Sequence, residues 1–436
     1  MVARVQRCKS LHMRRSLSIL VMFLIVGGTP GEHGARHDPF PGRTASASSR
    51  LAASQERDVA SLDNKLIGLT TACAMGGDVY ISRDVYRPTN EIPCAAATYL
   101  HGAGINQTII KPTSALSAAL FSFTAASEGY KLSDLTIDMT DAPAQGAISL
   151  NHPIRPIFEN VRIVYPSSGT GTALSAQNVR ELHAREIIIT NPGIGIDING
   201  DGGAEHFYDS IVVESPATVG FRIRRTTTSD VGGYYLAAVK VTNPGNRNGQ
   251  SFVFTSTVAN TALPLFMVNC VGDNARGGDA LSITNINLLQ LTNNWFTNGA
   301  AEGANQASVS LSNVVQATFV NNHFQSNSRD VAVLGTSTSI FFDHNQFNGR
   351  AAHLYFDRVG VKSNIRAATS GNLFTGTLTN DFSQLDDSND ARPRLPFATP
   401  TGSSEICTPG QIWADATYVY VCVRSGSIKR VPLSNF

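Results

Sequence analysis

NNWF at Asn293–Phe296 recurs downstream as NNHF at Asn321–Phe324, HNQF at His344–Phe347 and GNLF at Gly371–Phe374. Each segment places an Asn two residues before a Phe, at spacings of 28, 23 and 27 residues. If the chain coils once per copy, equivalent residues of parallel strands stack roughly 4.8 Å apart. Stacked Asn amides can then bond along the column, and the Asn suits a tight turn because it tolerates the left-handed conformation. The stacked Phe rings would fill the interior.

The alternative is that Asn-x-Phe recurs by chance in an ordinary β-sandwich, and four copies within about 80 residues speak against it. Short alternating runs of β-branched and aromatic residues also extend from about Gly76 to Leu378, and from Gly146 they begin every 22–31 residues. Units of this length stack because none buries a core alone. The pattern predicts an all-β coil in which each run supplies one strand to one face. The runs are GAISLN, ALSAQN, GIDING, GFRIRR, SFVFTS, ALSITN, SVSLSN, VAVLGT and HLYFDR.

Both ends of the predicted coil have segments that would cover its open strand edges, which otherwise recruit other chains. The stretch 61–75 has a helical apolar face and stops at Gly76–Gly77, so it predicts a capping helix on a β-helix that spans 56–385. Residues 386–405 are predicted to be a linker, followed by a small C-terminal β-module at 406–436. The apolar positions of the helical face are Leu62, Leu66, Leu69 and Cys73.

The N-terminus has the order of a secretory signal. Five basic residues precede the apolar run Leu17–Val26, and no acidic residue occurs before Glu32. This run is too short to span a bilayer as a typical transmembrane helix. We interpret residues 1–28 as a signal peptide or, since no clean cleavage site follows, an uncleaved signal anchor. The Gly/Pro/Ser-rich residues 29–55 are predicted to be a disordered linker.

Composition narrows the functional classes. The 436 residues have a formal net charge of +1, only 15% of them are charged and 42% are hydrophobic. These values exclude a wholly disordered chain, a long coiled coil and a collagen. They also predict that nucleic acid is not a partner, because phosphate neutralisation needs a surplus of Lys and Arg.

Cysteine spacing agrees with export. Outside the signal, two local pairs are plausible disulfides, Cys73–Cys94 and Cys407–Cys422. Cys270 follows an apolar run and is interpreted as a buried free thiol. The sequence has no CxxC motif and no His/Cys cluster with the spacing of a metal site.

The stretch Ala72–Pro112 resembles the opening of right-handed parallel β-helix proteins of the pectate-lyase-like superfamily. There a helix runs into Gly-Gly, then V-Y-[IL]-P-x-G-x-Y, then an apolar strand and L-x-G-x-G; Ser82–Asp84 departs from the usual Pro-x-Gly. The resemblance implies a right-handed parallel β-helix of about 10–12 turns with a groove for a polysaccharide. Cys73 and Cys94 also look like a bridge of plant-type polygalacturonases. The matching positions are Gly76, Gly77, Val79, Tyr80, Ile81, Tyr86, Leu100, Gly102 and Gly104.

The C-terminal stretch Cys407–Phe436 resembles a short β-module at the ends of some phage tail and secreted β-helix proteins. Alternation in YVYVCV predicts a strand with one buried face, and Ser425–Gly426 predicts a hairpin turn. The module would serve as a cap or a trimerisation piece.

The scaffold that the chain resembles carries lyases, hydrolases, epimerases and non-catalytic spikes, so function must be sought in side chains. The polygalacturonase motifs N-T-D, D-D, G-H-G and R-I-K are missing, since Asp386–Asp387 lies in the predicted linker. FFDHNQF is similar to the W-I-D-H of pectate lyases but lacks the Trp. We therefore interpret Asp343 and His344 as turn residues.

Charged residues gather between Asp197 and Arg225. If the Ile and Phe residues of GIDING and GFRIRR point inward, Asp197 lies outside beside Arg222 or Arg224 of the next turn. The carboxylates could serve a metal or proton transfer and the Arg residues a uronate. The alternative is a surface ion pair with a solvated loop. The predicted catalytic residues are Asp197, Asp201, Glu205, His206, Arg222 and Arg224, and a weaker candidate is Asp273, Arg276 and Asp279.

The leading hypothesis is an exported carbohydrate-active β-helix that binds an acidic polysaccharide and, if active, cleaves it as a lyase or hydrolase. A lyase would use Ca²⁺, and no other cofactor is expected. The alternative is a non-catalytic surface or structural β-helix, trimeric like a phage spike. In either case the expected location is secreted, periplasmic or cell-surface, with membrane contact only through the N-terminal signal.

Overall fold

The computed structural model is built almost wholly of parallel strands coiled around one core. It describes residues 57–58, 65–95, 97–124, 129–200, 205–226, 232–242, 249–257, 264–275, 278–298, 306–349, 352–356, 366–367, 372–374, 400, 402–404, 407, 409 and 412–433. Within these ranges, no helix has the length and hydrophobicity needed to cross a membrane. The predicted signal at 1–28 and linker at 29–55 lie outside the described residues, as does most of the predicted linker at 386–405.

Twenty-two strands form the large parallel sheet, which bends around a corner of the coil. They are β1 Arg57–Asp58, β2 Gly77–Ile81, β3 Asp84–Tyr86, β5 Thr98–Gly102, β6 Thr108–Ile110, β8 Lys131–Asp138, β10 Ile157–Val164, β12 His183–Thr190, β14 His206–Asp209, β15 Val212–Glu214, β17 Tyr234–Ala237, β18 Lys240–Thr242, β20 Pro264–Val268, β21 Val271–Ala275, β23 Leu288–Thr292, β24 Trp295–Asn298, β26 Gln316–Val320, β27 His323–Ser326, β29 Ile340–Asp343, β30 Gln346–Phe347, β32 Arg366–Ala367 and β33 Leu373–Phe374.

Eleven strands, one from each successive pass of the chain, form the second parallel sheet. All nine alternating runs that the sequence assigned to one face belong to it, which confirms the parallel β-helix and the position of its repeat. Its strands are β4 Ile92–Cys94, β7 Phe121–Phe123, β9 Ile148–Asn151, β11 Thr172–Gln177, β13 Ile194–Asn199, β16 Val219–Arg225, β19 Gln250–Ser256, β22 Leu281–Thr284, β25 Ala307–Ser312, β28 Arg329–Leu334 and β31 Ala352–Phe356.

A column of left-handed residues marks the corner in the large sheet. On nine successive turns one residue at this corner has φ between 53° and 60°. The residue that follows it points into the core and is at most 2% exposed. The left-handed residues are Asp134, Asn160, Glu186, Ser210, Ala238, Asn269, Asn293, Asn321 and His344. The buried residues after them are Leu135, Val161, Ile187, Ile211, Val239, Cys270, Asn294, Asn322 and Asn345.

The predicted Asn column exists, but its members are not the left-handed residues of the turn. The Asn residues two before each Phe are Asn294, Asn322, Asn345 and Asn372, and the first three lie one position after the corner. Asn322 Oδ1 accepts from the Asn294 backbone N at 2.9 Å and from Asn294 Nδ2 at 3.0 Å. The same pair of bonds joins Asn322 to Asn345 and Asn345 to Asn372. The left-handed residue is instead the one before each of the first three Asn residues, and its side chain points outward. The Asn that follows points inward, so its amide forms these hydrogen bonds in the core.

The Phe residues of the four segments are stacked in register, as predicted. Phe296 and Phe324 have ring centroids 6.3 Å apart, and Phe324 and Phe347 are 5.2 Å apart. All three are fully buried, and Phe374 pairs in register with Phe347. Rings on successive turns fill the core continuously, so the coil needs no second layer to bury its apolar residues.

The capping helix α1 spans Lys65–Met75, and residues 61–64 of the predicted helix lie outside the described residues. Leu69 and Cys73 are buried, as the apolar pattern required, whereas Leu62 lies outside the described residues. A disulfide joins Cys73 to Cys94 of β4, so the helix is tied covalently to the first turn. Cys270 is a buried free thiol, and burial raises its pKa to about 12.

The C-terminal residues form a small antiparallel sheet of three strands, β34 Ile412–Ala414, β35 Tyr418–Arg424 and β36 Ser427–Pro432. Its core consists of Trp413, Tyr420, Cys422 and Ile428, which confirms the strand with one buried face that the alternation in YVYVCV predicts. Gly426 takes φ +72° in the turn between β35 and β36. A second disulfide joins Cys407 to Cys422. Both disulfides are of the kind that persists in oxidising compartments.

Candidate functional site

Three of the six residues predicted for catalysis meet on the outer face of the second sheet. Asp197 of β13 is in register with Arg222 of β16. Arg222 donates to the two Asp197 oxygens at 2.9 and 2.7 Å, and Arg224 donates to the same oxygens at 3.3 and 2.8 Å. The Asp197 side chain is 10% exposed, whereas that of Arg224 is 40% exposed. We call these three residues the Asp–Arg cluster.

The geometry of the Asp–Arg cluster limits its chemistry. Any substrate proton would have to compete with four hydrogen bonds for the Asp197 carboxylate. Two guanidiniums face one carboxylate, so the cluster keeps one net positive charge. A carboxylate already shared by two cations does not fit a Ca²⁺ ion, which needs free oxygen ligands. The arrangement can attract an anionic group to Arg224.

The other predicted catalytic residues lie elsewhere. His206 begins β14 of the large sheet and points inward, where its ring stacks on Tyr234 at 4.7 Å. Burial, with a smaller contribution from His183, lowers its pKa to about 4. Glu205 is exposed and accepts from the Tyr235 hydroxyl at 3.5 Å. Asp201 lies outside the described residues.

The weaker candidates have structural contacts. The Asp273 carboxylate accepts from the Thr297 hydroxyl at 2.8 Å, and Asp279 accepts from the Ala307 backbone N at 2.7 Å. Arg276 lies outside the described residues. His344 is the left-handed corner residue after Asp343, which fits the interpretation of that pair as turn residues. Nowhere in the described ranges do three or more His, Cys, Asp or Glu side chains form a group suited to a metal.

The structure shows a further site that the sequence did not predict. A cleft of about 410 Å³ lies on the outer face of the large sheet, across β10, β12 and β14. We call it the outer cleft. One side is a column of Ile157, His183 and Phe207, and the other is a column of Glu159, Arg185 and Asp209, with Arg155 at the corner.

The apolar side of the outer cleft continues as a column of stacked rings. His183 and Phe207 have centroids 5.0 Å apart, Phe207 and Tyr235 are 5.1 Å apart, and Tyr235 and Phe266 are 5.0 Å apart. The interplanar angles along this column are 28°, 11° and 6°. The rings therefore cover one another's faces and present their edges to the solvent. We call these four residues the ring column.

The charged side of the outer cleft is compensated. Glu159 forms ion pairs with Arg185 and with Lys131, and Arg155 pairs with Glu181 at 2.6 Å. The hydrogen bond from Arg185 is the main cause that lowers the pKa of Glu159; burial opposes it, and the charges of Lys131 and Arg185 lower the pKa further. Asp209 lies one turn beyond Arg185 in the same column. The cleft thus offers donors and acceptors without a net charge.

Sequence reasoning missed the ring column because its members belong to short strands with ordinary alternation. The available signal was the outward residue of the three strands HFYD, YYLA and PLFMV, where Phe207, Tyr235 and Phe266 replace the usual polar residue. Only the register of β14, β17 and β20 shows that these outward residues are neighbours.

Comparison with known proteins finds similar solved structures at low sequence identity. No family model matches the chain, and no curated protein sequence matches it. The A-module of the mannuronan C-5 epimerase AlgE4 from Azotobacter vinelandii is similar, with a TM-score of 0.47 and 15% identity over 73% of this chain and 95% of that one. A mutant tailspike of E. coli bacteriophage HK620, in complex with a hexasaccharide, has a TM-score of 0.48 and 11% identity, over 82% of this chain and 80% of that one. The Streptococcus pneumoniae surface adhesin PfbA has a TM-score of 0.40 and 10% identity, over 86% of this chain and 100% of that one.

These neighbours act on or bind saccharides, or are adhesins. At such identities and TM-scores, the likeness carries no argument about which of these activities this chain has. Its function must be argued from its own side chains.

Proposed function

We propose that this protein is an exported β-helix that binds a polysaccharide in the outer cleft. The observation that carries the proposal is the pairing of an apolar column with a polar column along the same groove. Saccharides present C–H surfaces beside hydroxyl groups, so they are bound by apolar contacts together with a few placed polar groups. Phe207 and Ile157 supply exposed apolar surface, and Arg185 and Asp209 supply a donor and an acceptor.

Binding without cleavage fits the charges of the outer cleft. A glycosidase needs a carboxyl group whose pKa is raised, so that it can donate a proton at neutral pH. The pKa of Glu159 is instead lowered by Arg185. A carboxylate held in two ion pairs serves as a hydrogen-bond acceptor for hydroxyl groups.

The test is equilibrium binding to a panel of polysaccharides by affinity electrophoresis. Phe207→Ala is expected to weaken retardation about tenfold, because it removes exposed apolar surface where the cleft meets the rest of the ring column. Phe341→Ala is the matched control, since Phe341 is also exposed on the large sheet but lies far along the column. Equal binding by both variants would contradict the proposal, and release of unsaturated products or reducing ends would show an enzyme instead.

A second candidate function, recognition of an acidic polysaccharide, is favoured by the net positive charge of the Asp–Arg cluster. Here Arg224, with its 40% exposed side chain, would bind a uronate carboxylate beside Asp197 and Arg222. Arg224→Ala should then abolish binding of polygalacturonate and leave neutral polymers unaffected. If uronate binding and any uronate cleavage survive both Arg224→Ala and Asp197→Ala, the predicted site is excluded.

Location and assembly belong to the same proposal. Two disulfides in a chain with a signal-like N-terminus support export to a secreted, periplasmic or surface location. The homotrimer of a spike-like protein is tested by native mass spectrometry of the exported particle. A monomeric mass would exclude the spike-like alternative and leave glycan binding in the outer cleft unaffected.

A further inference from the structure

The proposed function leaves open which polysaccharide is bound and how it lies. Resting on that function, we infer that the ligand is an uncharged polysaccharide chain that lies parallel to the coil axis, over the outer cleft and the ring column. Two independent features support this inference, the direction of the column and its charge.

The direction follows from the register. Ile157, His183, Phe207, Tyr235 and Phe266 occupy the same outward position on five successive turns. Neighbouring strands lie roughly 4.8 Å apart, so a polymer along the axis would meet an equivalent contact at every turn. A polymer that crossed the column would meet only one turn. The contact surface ends where Gln290 and Thr318 replace rings at the same position.

The preference for an uncharged chain follows from the side chains beside the rings. In the column beside the rings the charges alternate in sign from Glu159 to Arg185 to Asp209, and Glu159 forms an ion pair with Arg185. A uronate carboxylate in this column would lie close to the like charges of Glu159 and Asp209, because the guanidiniums of Arg185 and Arg155 already have carboxylate partners. Sugar hydroxyls can donate to carboxylates and accept from guanidiniums without breaking any pair.

On β17 and β20 the described strand position that continues the charged column has no charged residue, and the charge next to this part of the ring column is the Glu205 carboxylate at the Tyr235 hydroxyl, which is also negative. After Asp209 the same position is occupied by Ala237 and then by Val268, which is 39% exposed. A polymer with one carboxylate per sugar would place these charges against apolar surface over β17 and β20. A neutral chain covers the same surface with its C–H groups, which buries apolar area.

The experiment is a titration with neutral glucan oligosaccharides from the disaccharide to the octasaccharide, and with oligogalacturonates of the same lengths. For the wild type, the affinity for the neutral series should rise with length until the chain spans the ring column. It should change little with salt, because no ion pair forms on binding. Oligogalacturonates should bind the cleft at least tenfold more weakly.

Variants along the column test the orientation. Phe207→Ala should weaken short and long neutral oligosaccharides alike, about tenfold. Phe266→Ala should weaken only the long ones, since short ones do not reach β20. Phe341→Ala, beyond the two polar positions, should change neither. Unfolding midpoints check that each variant folds. Tyr235 lies between Phe207 and Phe266 in the column, so Tyr235→Ala should show an intermediate dependence on oligosaccharide length.

The outcomes separate the inference from the proposed function. Affinity that does not depend on length, or equal effects of Phe207→Ala and Phe266→Ala on a disaccharide, would overturn the axial orientation. Tighter binding of oligogalacturonates that is lost in Phe207→Ala would overturn the preference for an uncharged chain, while glycan binding in the cleft stands. Failure of every glycan to bind the wild type would overturn the proposed function itself.

Discussion

His206 carries its ring inside the coil, stacked on Tyr234, and this burial governs how it titrates. Its pKa is lowered to about 4 in the folded chain, from 6.5. The unfolded chain therefore binds more protons between about pH 6.5 and about pH 4, so acid favours unfolding. We expect the contribution of His206 to the free energy of unfolding to fall by roughly 3 kcal/mol across this window. Urea unfolding as a function of pH measures it.

The control is His206→Phe, which keeps a ring against Tyr234 and removes the titrating nitrogen. Asp330 acts in the opposite direction, because burial raises its pKa to about 6, against the opposing effects of His353 and Gly349. Folding therefore gains stability from Asp330 as the pH falls through 6. The difference between wild type and His206→Phe isolates the histidine, and identical pH profiles for the two proteins would contradict the prediction.

At the scale of the element, the Asn column is a set of buried amides with defined partners. Asn322 accepts two hydrogen bonds from Asn294 and donates to Asn345 Oδ1 at 3.0 Å and to the Leu291 carbonyl at 2.9 Å. We expect Asn322→Ala to lower the free energy of unfolding by about 3 kcal/mol, because it leaves buried groups without partners. Gln325→Ala, at an exposed position of strand β27 that follows Asn322, should cost less than about 0.5 kcal/mol. Chemical denaturation measures both, and equal losses would contradict the prediction.

The left-handed corner makes a separate prediction at Ala238, which has φ +53° and an exposed side chain. Four other turns place Asn at this corner, and Asn tolerates the conformation better than Ala. Ala238→Asn should therefore raise the free energy of unfolding by about 0.5–1 kcal/mol. The neighbouring exposed Ala237 lies in a strand, so Ala237→Asn should give no gain. A gain from both variants would show that the corner conformation is not its cause.

The periodic elements were predictable from sequence, and the functional surface was not. Alternation in GIDING and GFRIRR fixes which side chains face out, so the meeting of Asp197 with Arg222 and Arg224 followed from strand geometry. The inward position of Asn294 could not be predicted, because the sequence shows an Asn near a turn without showing which residue of the turn is left-handed. The ring column needed the register of strands 28 and 31 residues apart, and spacing in this chain is too irregular to give it.

At the scale of the whole molecule, the C-terminal sheet depends on a covalent link. Its described core has four buried residues, and the Cys407–Cys422 disulfide closes a loop with a sequence separation of 15. Removing a disulfide that closes a loop of this length lowers the free energy of unfolding by roughly 3 kcal/mol, because it raises the entropy of the unfolded state. Cys407→Ser should thus speed amide hydrogen exchange in β35 without affecting β24. Cys270→Ala is the control, and exchange in β35 that does not change in Cys407→Ser would contradict the prediction.

The corner column described above changes chemistry along the coil, from Ile211 and Val239 to Asn294, Asn322 and Asn345. Contacts between aliphatic groups weaken when water is cooled, whereas hydrogen bonds between amides do not share that dependence. The stabilising interactions at this corner therefore depend differently on temperature in the N-terminal and C-terminal halves of the coil. Near freezing, amide hydrogen exchange should speed up first in the N-terminal turns of the coil, and the turns with the Asn column should keep the slowest exchange.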